Sequence, residues 1–463
     1  MASRTHIPTA TKPRPPPAAQ LLRRLMPLLV AIGTLIIGGS FMAITAPGHI
    51  PDIWAHVYRV DGILNGDVLA RPVTSLSKLH NSNENVGGHV DWEWIDYSHE
   101  QDDGYDPNAV LVDTITASDD NGADVPYNNT ATNSPIAYLP QLGAFALGKL
   151  AGLPAQTTYY LAEAFMLTVY ACCTAVAVAL LPKWRIFVGL IMLCPLMLFR
   201  YSFAISADSM TQALTFLLSC MLFRALYRRA SIRYYTTLTV VCLLLAMCKF
   251  IYAPLILLTL LIPWIQQRSG NRTRTMSGTW ILAIGDLAAF GCLALWMRTN
   301  SWFVTTPMMV SYGEMTRRKH ALFTDIPFMR KTIKAICLSA VTGHSNLNSR
   351  FDTLVIRCCW FAVLLMSIML FAATIRHVLR SREVVFWWCT CAMIIGIITL
   401  TYLALWLQYT PTDSIMVEGM QHRYFLPMTV LGGLCFAESA SAVFGSRPSS
   451  SEILRDVAAR HAR

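Results

Sequence analysis

The sequence predicts an all-α polytopic membrane protein with about ten transmembrane helices and a large outer loop subdomain. Three observations predict it. Of 463 residues, 54% are hydrophobic and only 14% charged, against about 25% charged in average soluble domains. The apolar residues fall in many long runs rather than one soluble core pattern. The basic residues behind the net charge of +10 gather in the short stretches between those runs. That is how Lys and Arg orient membrane proteins, so the charge calls for a lipid bilayer and for no nucleic acid.

Taken from the N-terminus, residues 1–24 are polar and Pro-rich ("TKPRPPPAAQ") and read as a disordered cytoplasmic tail. Arg23 and Arg24 precede the apolar run 25–46, too long for an ordinary signal core and therefore an uncleaved first span. The membrane domain is expected over 25–444, and 445–463 is expected to be a second cytoplasmic tail.

An outer loop subdomain follows over 47–157. Between Pro47 and Pro135 lie fifteen of the 27 acidic residues, against only Arg59, Arg71 and Lys78. Trp92, Trp94, Tyr97, Tyr105 and Tyr127 supply some core, and "ASDDNGADVPYNNTATNSP" reads as an exposed excursion. The apolar stretch "SPIAYLPQLGAFALGKLAGLP" is too short for a span and is read as a helix lying on the outer leaflet. Charge decides this. With an interfacial helix, the loops around Lys183 and Arg185, Arg224 to Arg233, Arg268 to Arg274, Arg376 to Arg382 and the tail from Arg447 all fall inside. They hold 16 of the 37 Lys and Arg, and a true span would put most of these outside, against the positive-inside pattern. The predicted spans are 25–46, 158–181, 186–204, 208–226, 234–249, 251–266, 277–298, 353–374, 385–406 and 425–444. Both termini are then cytoplasmic, in a multi-pass plasma-membrane protein. A second outer loop covers 299–352.

None of the 13 cysteines lies between Ala46 and Pro154, and twelve sit in apolar runs as small hydrophobes. No disulfide framework, metal site or cofactor is expected, although carboxylates such as Asp102 and Asp103 can bind a divalent cation. P-loop, GxGxxG, GxSxG and HExxH motifs are absent from the sequence. The sequon at Asn128, Asn129 and Thr130 falls outside the membrane.

The candidate chemistry lies at span ends. Asp52, His56 and Arg59 follow the first span and share one face if helical. A carboxylate beside His and Arg at the membrane boundary suits a general base. Arg200, Asp208 and Lys249 fall at outer ends of later spans, where cations suit a phosphate head group. "MVEGMQHRYFLPM" crowds Glu418, Gln421, His422, Arg423 and Tyr424 at the mouth of the last span, and Arg423 can fork a pair of phosphate oxygens. Each of these residues is, taken alone, also explained as an anchor at the water boundary.

Three stretches carry a resemblance: "PDIWAHVYR", then "SADSMT" with "CKFIYAPLILL", and above all "EGMQHRYFLPM". They resemble the bacterial membrane family known as domain of unknown function 2142, from about Ile50 to Pro427. That family shows PDE-x-x-H-x-Y-R early, S-x-D midway and GxQGRYFLP late. Ile53 stands here in place of its Glu, and His422 in place of its Gly. The family is in turn similar to the glycosyltransferase C superfamily, except that Glu163 stands where that superfamily often has Arg. The resemblance implies transfer of a sugar from a polyprenyl-phosphate donor to a cell-envelope glycan acceptor on the outer face. Asp52 and His56 would be catalytic. Arg59, Tyr138, Arg200, Asp208, Lys249, Gln421, Arg423 and Tyr424 would contact substrate. Other expectations are a transporter or flippase of lipid-linked sugars, or a non-catalytic envelope assembly factor. Repeats and mid-membrane breaks would mark the transporter, and a densely paired outer cavity the assembly factor.

Overall fold

The structure, a computed structural model, describes residues 17–74, 85–106, 114–267, 272–300, 310–345 and 349–445. The expected tails at 1–16 and 446–463 lie outside these residues. The first helix, α1 (Pro17–Ile44), begins at Pro17 rather than at 25, so part of the expected tail is helical. Proline suits a first turn, where its missing N–H has no partner to lose and its φ is preset.

The all-α membrane class holds, with one small sheet inside the segment expected to form the outer subdomain. After α2 (Ile53–Leu64) comes a small antiparallel sheet of β1 (Arg71–Pro72), β2 (Val86–Asp91) and β3 (Gly122–Pro126), in that order, with α3 (Trp92–Glu100) following β2. The stretch expected to be an exposed excursion is therefore largely core: Ala123, Val125 and Tyr127 are fully buried. Alternation explains it, because strand side chains point to opposite faces in turn. Gly87 serves the sheet, since a Cβ there would lie 1.8 Å from the Val125 carbonyl oxygen. Arg71 clamps the sheet with a bidentate pair to Asp124 at 2.8 and 2.6 Å. Trp94 stacks on Phe145 at 4.3 Å, which fastens α3 to α4 (Leu139–Ala151). One face of α4 is buried through Gln141, Ala144 and Phe145, while Leu139, Leu147 and Leu150 stay exposed.

The chain then enters α5 (Ala155–Leu180). The expected span 186–204 is not one helix. It breaks into α6 (Arg185–Met192) and α7 (Pro195–Leu198), because Pro195 supplies no N–H and clashes with the preceding turn. The helix α8 (Ala207–Tyr227) starts at the N-cap Ser206, whose Oγ accepts from the Asp208 N–H, and α9 (Ile232–Cys248) starts at Ser231 in the same way. The expected span 251–266 is also irregular: Phe250–Leu260 is a 3-10 segment around Pro254, continued by α10 (Leu261–Gln266). Next come α11 (Arg272–Thr299) and, within the expected second outer loop, α12 (Tyr312–Thr324) and α13 (Ile326–Thr342). The chain closes with α14 (Arg350–Ile375), α15 (Ser381–Gln408), two 3-10 turns at His422–Tyr424 and Leu426–Met428, and α16 (Thr429–Phe444).

Among the described residues, seven helices are long and apolar enough to cross a membrane. They fall on α1, α5, α8, α11, α14, α15 and the 422–444 stretch. The most enclosed is α8, whose apolar window is 83% buried against 17% for α1. A buried helix must satisfy its polar groups internally. Thr211, Thr215 and Ser219 do so by donating to carbonyls four residues back, at 2.7 Å each. This central helix carries Asp208 at its first turn.

Candidate functional site

Four distant chain segments meet at the start of α8. Asp52 precedes α2 in a left-handed backbone conformation, φ 61°, which Asp tolerates better than most side chains. Its carboxylate does not cap the helix. Oδ1 accepts from Asn129 Nδ2 at 2.9 Å and Oδ2 from Arg423 Nη2 at 3.1 Å. Arg423 Nη1 lies 3.6 Å from Asp208 Oδ2, and Asp208 also pairs with Lys249 Nζ. The result is an alternating row, Asp52, Arg423, Asp208, Lys249, with two charges of each sign. Each position has a local cause. The Ser206 cap fixes Asp208, the extended break between α9 and the 3-10 segment presents Lys249, and the turn at His422–Tyr424 delivers Arg423. Tyr424 covers this row, its ring 5.6 Å from Lys249 Nζ and from the Arg423 guanidinium.

His56 lies behind Asp52, only 6% exposed. Its Nδ1 meets Tyr138 Oη at 2.6 Å and its Nε2 meets Ser206 Oγ at 3.2 Å. Burial lowers its pKa from 6.5 to about 4, so the ring is neutral at pH 7 and one nitrogen donates while the other accepts. Tyr138 also accepts from Asn133 Nδ2 at 2.9 Å, and burial pushes its phenol above the usual value.

Not every expected site residue joins. Arg59 is fully buried and donates to the carbonyls of Asp67, Val68 and Asn133 at 2.9, 2.7 and 3.1 Å. It ties the segments at Asp67–Val68 and Asn133 together. Arg200 donates to Tyr105 Oη at 2.8 Å and packs 4.9 Å from the Phe199 ring. It pins Tyr105 rather than the charged row. Gln421 is half-buried in extended backbone at the head of the turn.

The sequence reading missed other members. Asp352 Oδ1 accepts from the His422 backbone N–H at 3.1 Å and pairs with His422 Nδ1, while His422 Nε2 faces Tyr201 Oη at 3.3 Å. Asn129 sits in the sequon, but that motif faces inward. Asn128 Oδ1 accepts from Val86 N at 2.7 Å, and Thr130 Oγ1 donates to the Ala55 carbonyl at 2.8 Å. Among the described residues, no group of three or more His, Cys, Asp or Glu could hold a metal ion. Asp102 and Asp103 instead accept backbone N–H groups two residues on, at 2.9 and 3.1 Å, and Asp103 faces His49 at 2.9 Å.

Beyond the row, an apolar cavity of about 370 Å³ opens between α6, α14, α15 and α16. Phe425 and Met428 line it, shortly after Arg423 in sequence, with Ile191, Met366 and Ile394. Among its lining residues Thr429 has the one hydroxyl.

The family described as "Predicted membrane protein (DUF2142)" matches residues 35–431. The chain belongs to that family. The match in DUF2142 takes in Asp52, Asp208, Lys249 and Arg423. No curated protein and no solved structure matches the chain.

Proposed function

We propose that this chain is a membrane glycosyltransferase with a glycosyltransferase C-like fold and ten membrane crossings. It would move a sugar from a polyprenyl-phosphate donor to a cell-envelope acceptor on the outer face. One observation carries the proposal: a third-exposed carboxylate, Asp52, shares Arg423 with a charged row, and Phe425, just past Arg423 in sequence, lines an apolar cavity. A base, a phosphate-binding cation and a slot for an isoprenoid chain then lie along one stretch of protein. The donor phosphate takes the Arg423 hydrogen bond that Asp52 holds in the free protein, so donor binding releases the base. The acceptor hydroxyl oxygen attacks the anomeric carbon and its proton passes to Asp52. The bond from that carbon to the phosphate oxygen breaks, and its electron pair leaves with the polyprenyl phosphate, stabilised by Arg423 and Lys249. A base so placed contributes about 100- to 10,000-fold. His56, neutral and fixed by Tyr138 and Ser206, positions the start of α2. The test is transfer from a synthetic polyprenyl-phosphate sugar by the reconstituted chain. No transfer, with envelope glycans unchanged in a deletion strain, removes the proposal. For the topology, reporters fused after Arg274 and at Asp119 should be cytoplasmic and external, respectively.

A second reading, a non-catalytic envelope assembly factor, has its own support. Each cation in the row already faces a carboxylate. A donor that fails to bind the reconstituted chain at all would favour it.

A further inference from the structure

Opposite in character to the row is a pocket of about 270 Å³ where α8 and α10 end and α15 begins. Arg228 and Arg229 line it from the turn after α8, Arg380 and Arg382 from the turn before α15, with Gln266 and Glu383. Four arginines line it against a single carboxylate, Glu383, which Arg380 Nη1 approaches loosely at 3.9 Å. The arginines come from two connections far apart in sequence, so a run of like charge does not explain their meeting. The scaffold under them is fixed. Gln266 Nε2 donates to the carbonyls of Ala225 and Arg228 at 2.6 and 3.0 Å, and its Oε1 accepts from Ala230 N at 3.2 Å. Arg382 donates to the Trp264 carbonyl and lies over that indole at 5.1 Å. Tyr227 directs its hydroxyl away, to Glu438 at 2.6 Å.

We infer that this pocket binds a phosphate group, that of an anionic phospholipid headgroup at the membrane surface. Planar guanidiniums match phosphate oxygens in pairs. Basic pockets between helix ends at the cytoplasmic level are where anionic headgroups bind. The inference is independent of the proposed transferase activity, because none of these residues contacts the row around Asp208.

The test uses the purified full chain in detergent, mixed with vesicles of phosphatidylcholine alone or with phosphatidylglycerol, and separately with inorganic phosphate. Retained lipid is counted by native mass spectrometry, and thermal protection is measured in parallel. The wild-type chain should retain phosphatidylglycerol in preference to phosphatidylcholine. The double variant Arg228→Gln, Arg382→Gln should lose affinity by about five-fold per arginine removed, while Arg233→Gln, outside the pocket, should not. Protection by inorganic phosphate alone, also lost in the double variant, would support the phosphate site with a soluble source. An equal loss in Arg233→Gln would overturn the pocket in favour of general attraction to a basic face, and so would no response in any arm. If the double variant does not fold, Glu383→Gln decides. Removing the lone carboxylate should tighten binding several-fold, and unchanged or weaker binding would overturn the inference.

Discussion

The molecule carries two charged clusters at opposite ends of α8, and they are balanced differently. At the start of α8, Asp52, Arg423, Asp208 and Lys249 pair one for one. At its end, Glu438 is buried and surrounded: Lys183 Nζ and Tyr227 Oη donate to it at 2.6 Å each, and Trp184 donates as well, from a left-handed backbone, φ 67°. Beside that anchor stands the arginine pocket with its surplus of cations. The contrast separates two uses of charge. A balanced row can take a ligand only by exchange, one partner leaving as another arrives. A surplus can take an anion without giving anything up.

The largest effect should come from breaking the row at its centre. Arg423→Ala leaves the enclosed Asp208 and the third-exposed Asp52 without their shared guanidinium, and removing one partner of a buried pair costs about 3–5 kcal/mol. A steep loss of folded protein or of melting temperature should follow, and a change no larger than a surface substitution would show that the row is not a connected unit. Glu438→Gln should cost less, about 1–2 kcal/mol. The amide keeps an acceptor for Trp184 or Tyr227, and Lys183 is 43% exposed, so water can compensate its charge. If Glu438→Gln proves the more damaging change, the ranking of the two clusters is reversed.

Acidity sharpens the same comparison within α2. His56 binds its proton less readily folded than unfolded, so stability should fall as pH drops from 6.5 to about 4. Asp61 acts oppositely. Burial, reinforced by Asp91, raises its pKa from 3.8 to about 7. The folded chain holds that proton where the unfolded chain has lost it, so Asp61 makes stability fall as pH rises from 3.8 to about 7. Thermal melts across this window should show His56→Gln removing the acid-side loss and Asp61→Asn removing the neutral-side loss. Identical profiles for both variants would contradict these environments. The smallest effect should be at a half-exposed pair. Lys149 meets Asp91 at 2.8 Å, and Lys149→Ala should shift stability by no more than about 1 kcal/mol.

Much of the frame was legible because it is local. Hydropathy and loop charge gave the membrane class. Pro195 and Pro254 were equally visible, yet the apolar runs around them read as unbroken spans, because hydropathy sums over a window and does not register one missing N–H. The strands were hidden for a different reason. Gly87 and Gly122 look like turn residues, and only the close approach of β3 to β2 makes small residues necessary there. Within the site, residue type and position at span ends suggested Asp52, Asp208, Lys249 and Arg423. The partners of His422 and of Asp52 were not legible. Asp352 and Asn129 reach them across 70 and 77 residues of sequence, and no local pattern encodes such a meeting. Arg59 shows the converse error, since helical spacing placed it beside Asp52 while its partners are carbonyls of its own subdomain.

The most direct measurement compares wild-type and Asp52→Asn protein in reconstituted membranes, with sugar transfer and donor binding measured separately. The amide keeps the size of the side chain but cannot take the acceptor's proton, and it releases Arg423 from an ion pair. Transfer should be abolished while donor binding is retained or tightened. Wild-type turnover by Asp52→Asn would remove Asp52 from the chemistry, and with it the proposed exchange at Arg423.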